Sequence, residues 1–122
     1  TALARKDSWM VSGDMQGVVN CWDLQSRRSL VFESGRGSVK RLVFAPGDDQ
    51  VLIFALFQDG DYQIYDIRSG STLGAISKAA TTDGRRRGIE IGWVSPQEAV
   101  VFCGDGHIRI ADVTLSHWHS PI

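Results

Sequence analysis

The sequence predicts an all-β protein made of antiparallel hairpins in three successive units. The first observation is the stretch 9–24, WMVSGDMQGVVNCWDL, where a polar turn ending in glycine separates two apolar runs. Glycine supplies the backbone angles that such a turn demands. The second observation is that this pattern returns, as QVLIFALFQDGDYQIYDI over 50–67 and EAVVFCGDGHIRIADV over 98–113. In each copy a glycine (Gly17, Gly60, Gly106) stands six residues before an aspartate (Asp23, Asp66, Asp112), and those aspartates lie 43 and 46 residues apart. The third observation is negative: no segment sustains an apolar period of 3.6 residues, so no helix is expected.

The elements follow in order. Residues 1–7 are polar and read as a lead-in outside the first unit. Residues 9–12 and 18–22 form the first hairpin around a turn at 14–17, and 25–29 turn again with Arg27 and Arg28. A short outer strand at 30–32 completes a unit of three strands. The second unit opens at VKRLVFAP, which puts Val39, Leu42 and Phe44 toward packing surfaces before Pro46-Gly47 stops the strand. Residues 51–57 are continuously apolar, as in a strand buried on both faces, and too few for a helix that repays its nucleation. After the turn at 58–61, residues 62–67 return with Tyr62 and Ile64 on one face, and 72–76 give the outer strand. SKAATTDGRRRG, 77–88, is the one long irregular loop. In the third unit Ile89, Ile91 and Trp93 alternate with Glu90 and Gly92. Residues 99–103 and 107–113 make its hairpin, and the tail TLSHWHSPI offers a fourth strand.

Composition bounds the function. Hydrophobic residues at 43% and charged residues at 22% suit a soluble globular chain. Thirteen basic and 14 acidic side chains leave a formal net charge of −1. A dedicated nucleic-acid binder carries a large basic excess, so nucleic acid is not the expected partner. The two cysteines, Cys21 and Cys103, occupy different places in their units and read as buried free thiols of a reducing compartment. The longest wholly apolar run, 51–57, is far short of the roughly 20 residues of a membrane-spanning helix. The start, TALARKDSW, has no signal-peptide core and no initiator methionine, and reads as a piece of a longer chain.

A hairpin repeating at this period and closed by WD or a near variant (Trp22-Asp23, Tyr65-Asp66, Ala111-Asp112) is the mark of a β-propeller blade. SGDMQGVVNCWDL, FAPGDDQ…QDGDYQIYDI and VSPQEAVVFCGDGHIRIADV resemble the WD-repeat β-propeller family over nearly the whole chain. The resemblance implies three four-stranded blades, about 8–33, 38–76 and 88–122, forming an incomplete ring within one domain, 1–122. In the family a Gly-His pair before the first strand joins a buried network with the turn aspartate, a Ser or Thr, and the tryptophan. Asp59 and Asp105 match the turn aspartate, Gln16 stands in its place in the first unit, and only Trp22 matches the tryptophan. Neither 34–38 nor 77–88 contains a histidine. The expectation is therefore that packing, not a polar network, holds these blades together.

Trp22, Tyr65, Phe44 and Trp93 read as core residues. Asp59 and Asp105, each before a turn glycine, read as caps for backbone N–H groups rather than as catalytic carboxylates. Arg85, Arg86 and Arg87 are the strongest partner-binding candidates, since three adjacent guanidiniums resist burial and suit carboxylates or phosphates. The plainer reading is a solvated loop. In the resembled family, the loops entering the first strands share a rim with the turns between second and third strands, which would bring these arginines near Asp59 and Asp105. His117 and His119 would share one face of a strand, but with no carboxylate or cysteine beside them they make no metal site. No catalytic constellation and no cofactor site emerges, and no small-molecule substrate is expected.

The expected function is a non-enzymatic scaffold that docks proteins or peptides in a multi-subunit complex. SGDMQGVVNCWDL, RLVFAPG and GDGHIRIADV further resemble the later repeats of a large two-propeller member of the family, a subunit of a vesicle-tethering complex. That implies a cytoplasmic protein, peripheral at trans-Golgi or vesicle membranes through its partners. The alternatives are an adaptor in another assembly, a ubiquitin ligase or chromatin, and a binder of anionic lipid or nucleic acid through Arg85, Arg86 and Arg87.

Overall fold

The computed structural model describes residues 2–48, 50–73 and 88–113 together with the backbone of 117–119. Among them the chain is all strand and turn, in three four-stranded antiparallel sheets whose strands follow chain order. The first sheet holds β1 (Ala2–Lys6), β2 (Trp9–Gly13), β3 (Val18–Asp23) and β4 (Arg28–Glu33). The second holds β5 (Val39–Phe44), β6 (Leu52–Phe57), β7 (Tyr62–Asp66) and β8 (Ser71–Thr72). The third holds β9 (Gly88–Ser95), β10 (Glu98–Cys103), β11 (Ile108–Asp112) and β12 (His117–His119).

The three central hairpins are built alike. In each, the N–H of the last residue before the turn (Asp14, Phe57, Cys103) donates to the carbonyl four residues on, and the glycine N–H donates back to it. Gly17, Gly60 and Gly106 take φ of 80°, 92° and 86°, the left-handed region that closes such a turn without steric cost. The residue after each repeat aspartate (Leu24, Ile67, Val113) donates its N–H to the carbonyl of Ser8, Val51 or Gln97 in the preceding turn. The spacing of glycine and aspartate is thus the spacing of two fixed backbone closures.

Alternation along the strands gives every sheet two faces. Val11, Val19, Cys21 and Phe32 of the first sheet meet Val39, Ile53, Ala55, Phe57 and Tyr65 of the second in one buried cluster. Phe54, Leu56, Tyr62 and Ile64, on the other face of the second sheet, meet Ile91, Ala99, Val101 and Ala111 of the third. All six residues of β6 are buried, as the unbroken apolar run requires. Phe32 stacks on Tyr65 with ring centroids 4.3 Å apart, and Phe54 takes the edge of Trp93 at 6.0 Å. Gly13 is needed for this contact, because a Cβ there would lie 2.4 Å from the Val39 side chain.

Four sequence expectations change. Residues 2–6 are not a lead-in: they form β1, the inner strand of the first sheet, paired with β2 over its whole length. Their alternation is muted because the alanines face the core while Leu3 and Arg5 face solvent. The first blade therefore begins at Ala2 rather than residue 8 and has four strands rather than three. Trp22 is not core in this arc, being 40% exposed. It lies on the face of the first sheet turned away from the second. Ile89 does not continue the inward series of Ile91 and Trp93, because a bulge skips it in the β9–β10 register and leaves it exposed. The expectation of packing without a polar network fails at the second blade, where Arg36 bonds both Asp61 and Gln63. The outer strand expected over 72–76 is described as far as Thr72, and its remainder lies outside the described residues. The tail does supply a fourth strand, β12.

Candidate functional site on the rim of the inner-strand entrances

One rim carries the β2–β3, β6–β7 and β10–β11 turns, the segment that enters β5 and the first residue of β9. Backbone bonds tie it together. Val39 donates its N–H to the Asp14 carbonyl at 3.0 Å, and Gly88 donates to that of Gly60 at 2.9 Å. Gln58 donates to the Ser38 carbonyl at 2.8 Å. The second and third blades are thus each joined to the turn of the one before at the point where the inner strand begins.

A polar cluster sits in this rim. The segment SGRGS enters β5 with the Ser34 hydroxyl donating to the Gly17 carbonyl at 2.7 Å and accepting the Arg36 N–H at 3.0 Å. That bend turns the Arg36 side chain into the second blade. Its Nη1 donates to Asp61 Oδ2 at 2.8 Å and its Nε to Gln63 Oε1 at 3.1 Å, with the guanidinium 5.9 Å from the centre of the Phe57 ring. Gln63 Oε1 also accepts the Tyr65 hydroxyl at 3.3 Å. Asp61 is almost wholly buried, and its Oδ1 has no hydrogen-bond partner among the described residues. Burial pushes the Tyr65 phenol up to about 12, against the pull of the Arg36 charge. Where the family's histidine is missing, an arginine entering the blade and a carboxylate just past the turn glycine make a different network. Sequence reasoning missed Arg36, Asp61 and Gln63. The available signal was a lone arginine in a Gly/Ser segment facing a second carboxylate in the DGD turn.

The turn aspartates act as expected. Asp59 Oδ1 accepts the Asp61 N–H at 3.1 Å, and Asp105 Oδ1 accepts the His107 N–H at 2.9 Å. The His107 N–H, with its ring nitrogen 3.1 Å from the second carboxylate oxygen, holds the Asp105 carboxyl below the usual range. In the first blade Gln16 does not take this role. Asp14, two residues earlier, accepts both the Gln16 and Val18 N–H groups and so caps the matching amide.

On the opposite rim Asp23 ties two turns together, accepting the hydroxyls of Ser8 at 2.6 Å and Ser26 at 2.8 Å, which hold its carboxyl below the usual range. Asp66 accepts the Arg68 and Ser69 N–H groups in the matching turn. Lys6 reaches across to the carbonyls of Ala45 and Gly47, beside a cleft of about 400 Å³ between the first two blades. Tyr65 is buried as expected, whereas Trp22 is not.

Around the first rim, exposed charge faces the entrance of the inner strands. Arg41 pairs with Glu90 across two blades at 3.3 Å, and Lys40 stands in a bulge between Val39 and Arg41. Arg85, Arg86 and Arg87 lie outside the described residues, as do the side chains of His117 and His119. Gly88, which directly follows the arginines, is held at the Gly60 turn. Among the described residues no group of three or more His, Cys, Asp or Glu side chains could hold a metal ion. No helix among them is long and apolar enough to cross a membrane.

Three four-stranded sheets packed face on face, each closed by a repeated glycine–aspartate hairpin, define an arc of a WD-repeat β-propeller. Among the described residues the stack of sheets is open at both ends. Three solved structures share the fold at 22% sequence identity or below. The computationally designed proteins Ika8 and Ika4 each superpose with a TM-score of 0.72 and 22% identity, over 97% and 98% of this chain and 34% and 69% of theirs. A chain of the mitotic checkpoint complex superposes at 0.72 and 16% identity, over 99% of this chain and 37% of its own. Residues 1–117 match the family model described as the WDR11 second beta-propeller, and the chain belongs to that family. It is 26% identical over 115 residues to WD repeat-containing protein 11 of Mus musculus and of Homo sapiens, covering 94% of this chain. Against the Danio rerio protein it is 27% identical over 113 residues. The chain spans 9% of the length of these relatives.

Proposed function

We propose that this arc is part of a non-enzymatic docking platform that holds partner proteins on the rim where the inner strands begin, within a vesicle-tethering assembly on the cytoplasmic side of trans-Golgi or vesicle membranes. The observation that carries the reading is the division of labour on that rim. Arg36 is consumed internally by Asp61 and Gln63, while Lys40, Arg41 and Glu90 remain at the surface. Strand register supports a role for the arginine run. Val39 and Gly88 both pair with the last residue before a central turn, Phe57 and Cys103. Arg36 and Arg85 each stand three residues ahead. In the third blade the places of Asp61 and Gln63 are taken by His107 and Arg109, so the carboxylate that receives Arg36 has no counterpart there. An acidic segment of a partner supplies one.

The test replaces Arg85, Arg86 and Arg87 with alanine in the full-length chain and measures quantitative co-purification of tethering-complex subunits from cells. Loss of defined subunits with an unchanged thermal melt supports the reading. An unchanged partner set sinks it. Salt-sensitive binding to anionic vesicles or to oligonucleotides, lost in the same variant, would favour the lipid or nucleic-acid alternative.

A further inference from the structure

The outer edge of the first blade carries a feature that docking on the rim does not use. Its edge strand β4 runs six residues, RSLVFE. Sheet proteins blunt exposed edges with short strands, proline, lysine or bulges. β4 contains no proline, glycine or lysine, and its register with β3 is unbroken from Arg28 to Glu33. Val31, at its middle, is 54% exposed.

The direction of the free backbone groups follows from one bond. Ser34 donates its N–H to the Gly17 carbonyl, which makes that a hydrogen-bonded pair of the ladder. Antiparallel pairs alternate, so Phe32, Leu30 and Arg28 also bond inward to β3, while Ser29, Val31 and Glu33 turn their N–H and C=O groups outward. Neighbouring blades of a propeller pack on faces, so they leave this edge at the circumference.

We infer that this edge pairs antiparallel with the same edge of a second copy about a two-fold axis at Val31. That register matches every outward group: Val31 faces Val31 of the second copy, and Ser29 faces Glu33 in both directions. The two valines cover each other, a serine hydroxyl meets a carboxylate, and no like charges lie opposite. Registers displaced along the strand lose at least one outward residue from the pairing. A two-fold contact is closed, so it yields a dimer and not a filament.

The test uses the full-length chain. Val31→Pro removes only an outward N–H, a position where an edge strand tolerates proline. Ser29→Glu keeps every backbone bond and sets a carboxylate opposite Glu33 of the second copy, at a position whose counterpart in the second blade, Thr72, stays exposed with a blade packed on that face. Sedimentation velocity across a dilution series should show the dimer dissociation constant raised at least tenfold in both variants, with thermal melts like that of the parent. Val31→Cys should form a disulfide-linked dimer on mild oxidation, because opposed residues of a hydrogen-bonded pair hold their Cα atoms about 5.5 Å apart, within disulfide reach. Mass spectrometry of the linked peptide identifies the bond. Cys21 and Cys103 of this arc are buried free thiols, and the mass of the linked peptide separates a bond through position 31 from one through any other cysteine. A chain that is monomeric at every concentration overturns the inference. So does a dimer that ignores Ser29→Glu, or a folded Val31→Cys variant that forms no link through that position.

Discussion

Arg36 and Asp61 are 25 residues apart in sequence and 2.8 Å apart in the fold, with most of both side chains out of water. Removing one partner leaves the other charge buried without compensation, so Arg36→Ala should cost about 3 kcal/mol in a urea titration. Combining it with Asp61→Ala should recover a measurable part of that loss, and a double-mutant cycle with no coupling would contradict the network. Tyr65 gives the same region a pH signature. The unfolded phenol ionises near 10 and the folded one holds its proton to about 12. The folded state therefore binds more protons in that window, and the contribution, complete below pH 10, is lost as pH rises to 12. Cys21, also pushed up to about 12 by burial, adds a slope that begins at its ordinary value of 9.0. Stability measured from pH 8 to 12 should fall, and Tyr65→Phe should flatten the portion above pH 10. Asp59, Asp66 and Asp105 were legible in the sequence because each bonds amides within three residues. Arg36 was not, because its partners lie in another hairpin.

At the scale of the hairpin, the three turn glycines share one conformation but not one environment. A Cβ on Gly106 meets open space, so Gly106→Ala carries only the left-handed backbone penalty of roughly 1–2 kcal/mol. A Cβ on Gly17 would lie 2.5 Å from the Arg36 carbonyl oxygen and 2.7 Å from Ser34 Oγ. Gly17→Ala should therefore destabilise clearly more than Gly106→Ala and disturb the segment that aims Arg36. Parallel melts compare them, and equal midpoints would remove the argument. The β3–β7 comparison runs the same way. Tyr65 is buried under Phe32, and Tyr65→Ala should cost about 3–5 kcal/mol, whereas Trp22→Ala in this chain alone should cost much less.

For the whole molecule the decisive fact is that, among the described residues, two sheet faces have no sheet against them. One carries Leu3, Met10, Trp22 and Val31, and the other carries Val94, Phe102 and Ile108. Apolar patches of this kind seldom persist in soluble monomers. The 122-residue chain by itself should therefore bind a hydrophobic dye and associate as concentration rises, and extending it to the complete ring should abolish the dye signal. A compact, dye-silent monomer that melts cooperatively at low concentration would show that the open faces are tolerated. This association differs from the edge pairing of β4, because it should survive Val31→Pro.

By itself the sequence determined the all-β class, the three hairpins, their register and the sites of their turns. These depend on local chemistry: alternation of apolar residues, glycine at left-handed positions and aspartates capping nearby amides. The tertiary structure alone decided three things. Residues 2–6 became a strand because β2 offers a partner edge, although their own pattern is weak. Asp14 replaced Gln16 as a cap because turn geometry brings its carboxylate to the matching amide. Trp22, the best match to the family tryptophan, became surface while Tyr65 became core, because burial depends on which face of a blade has a neighbour. Neighbours are a property of the assembled ring, and no local window of sequence contains them.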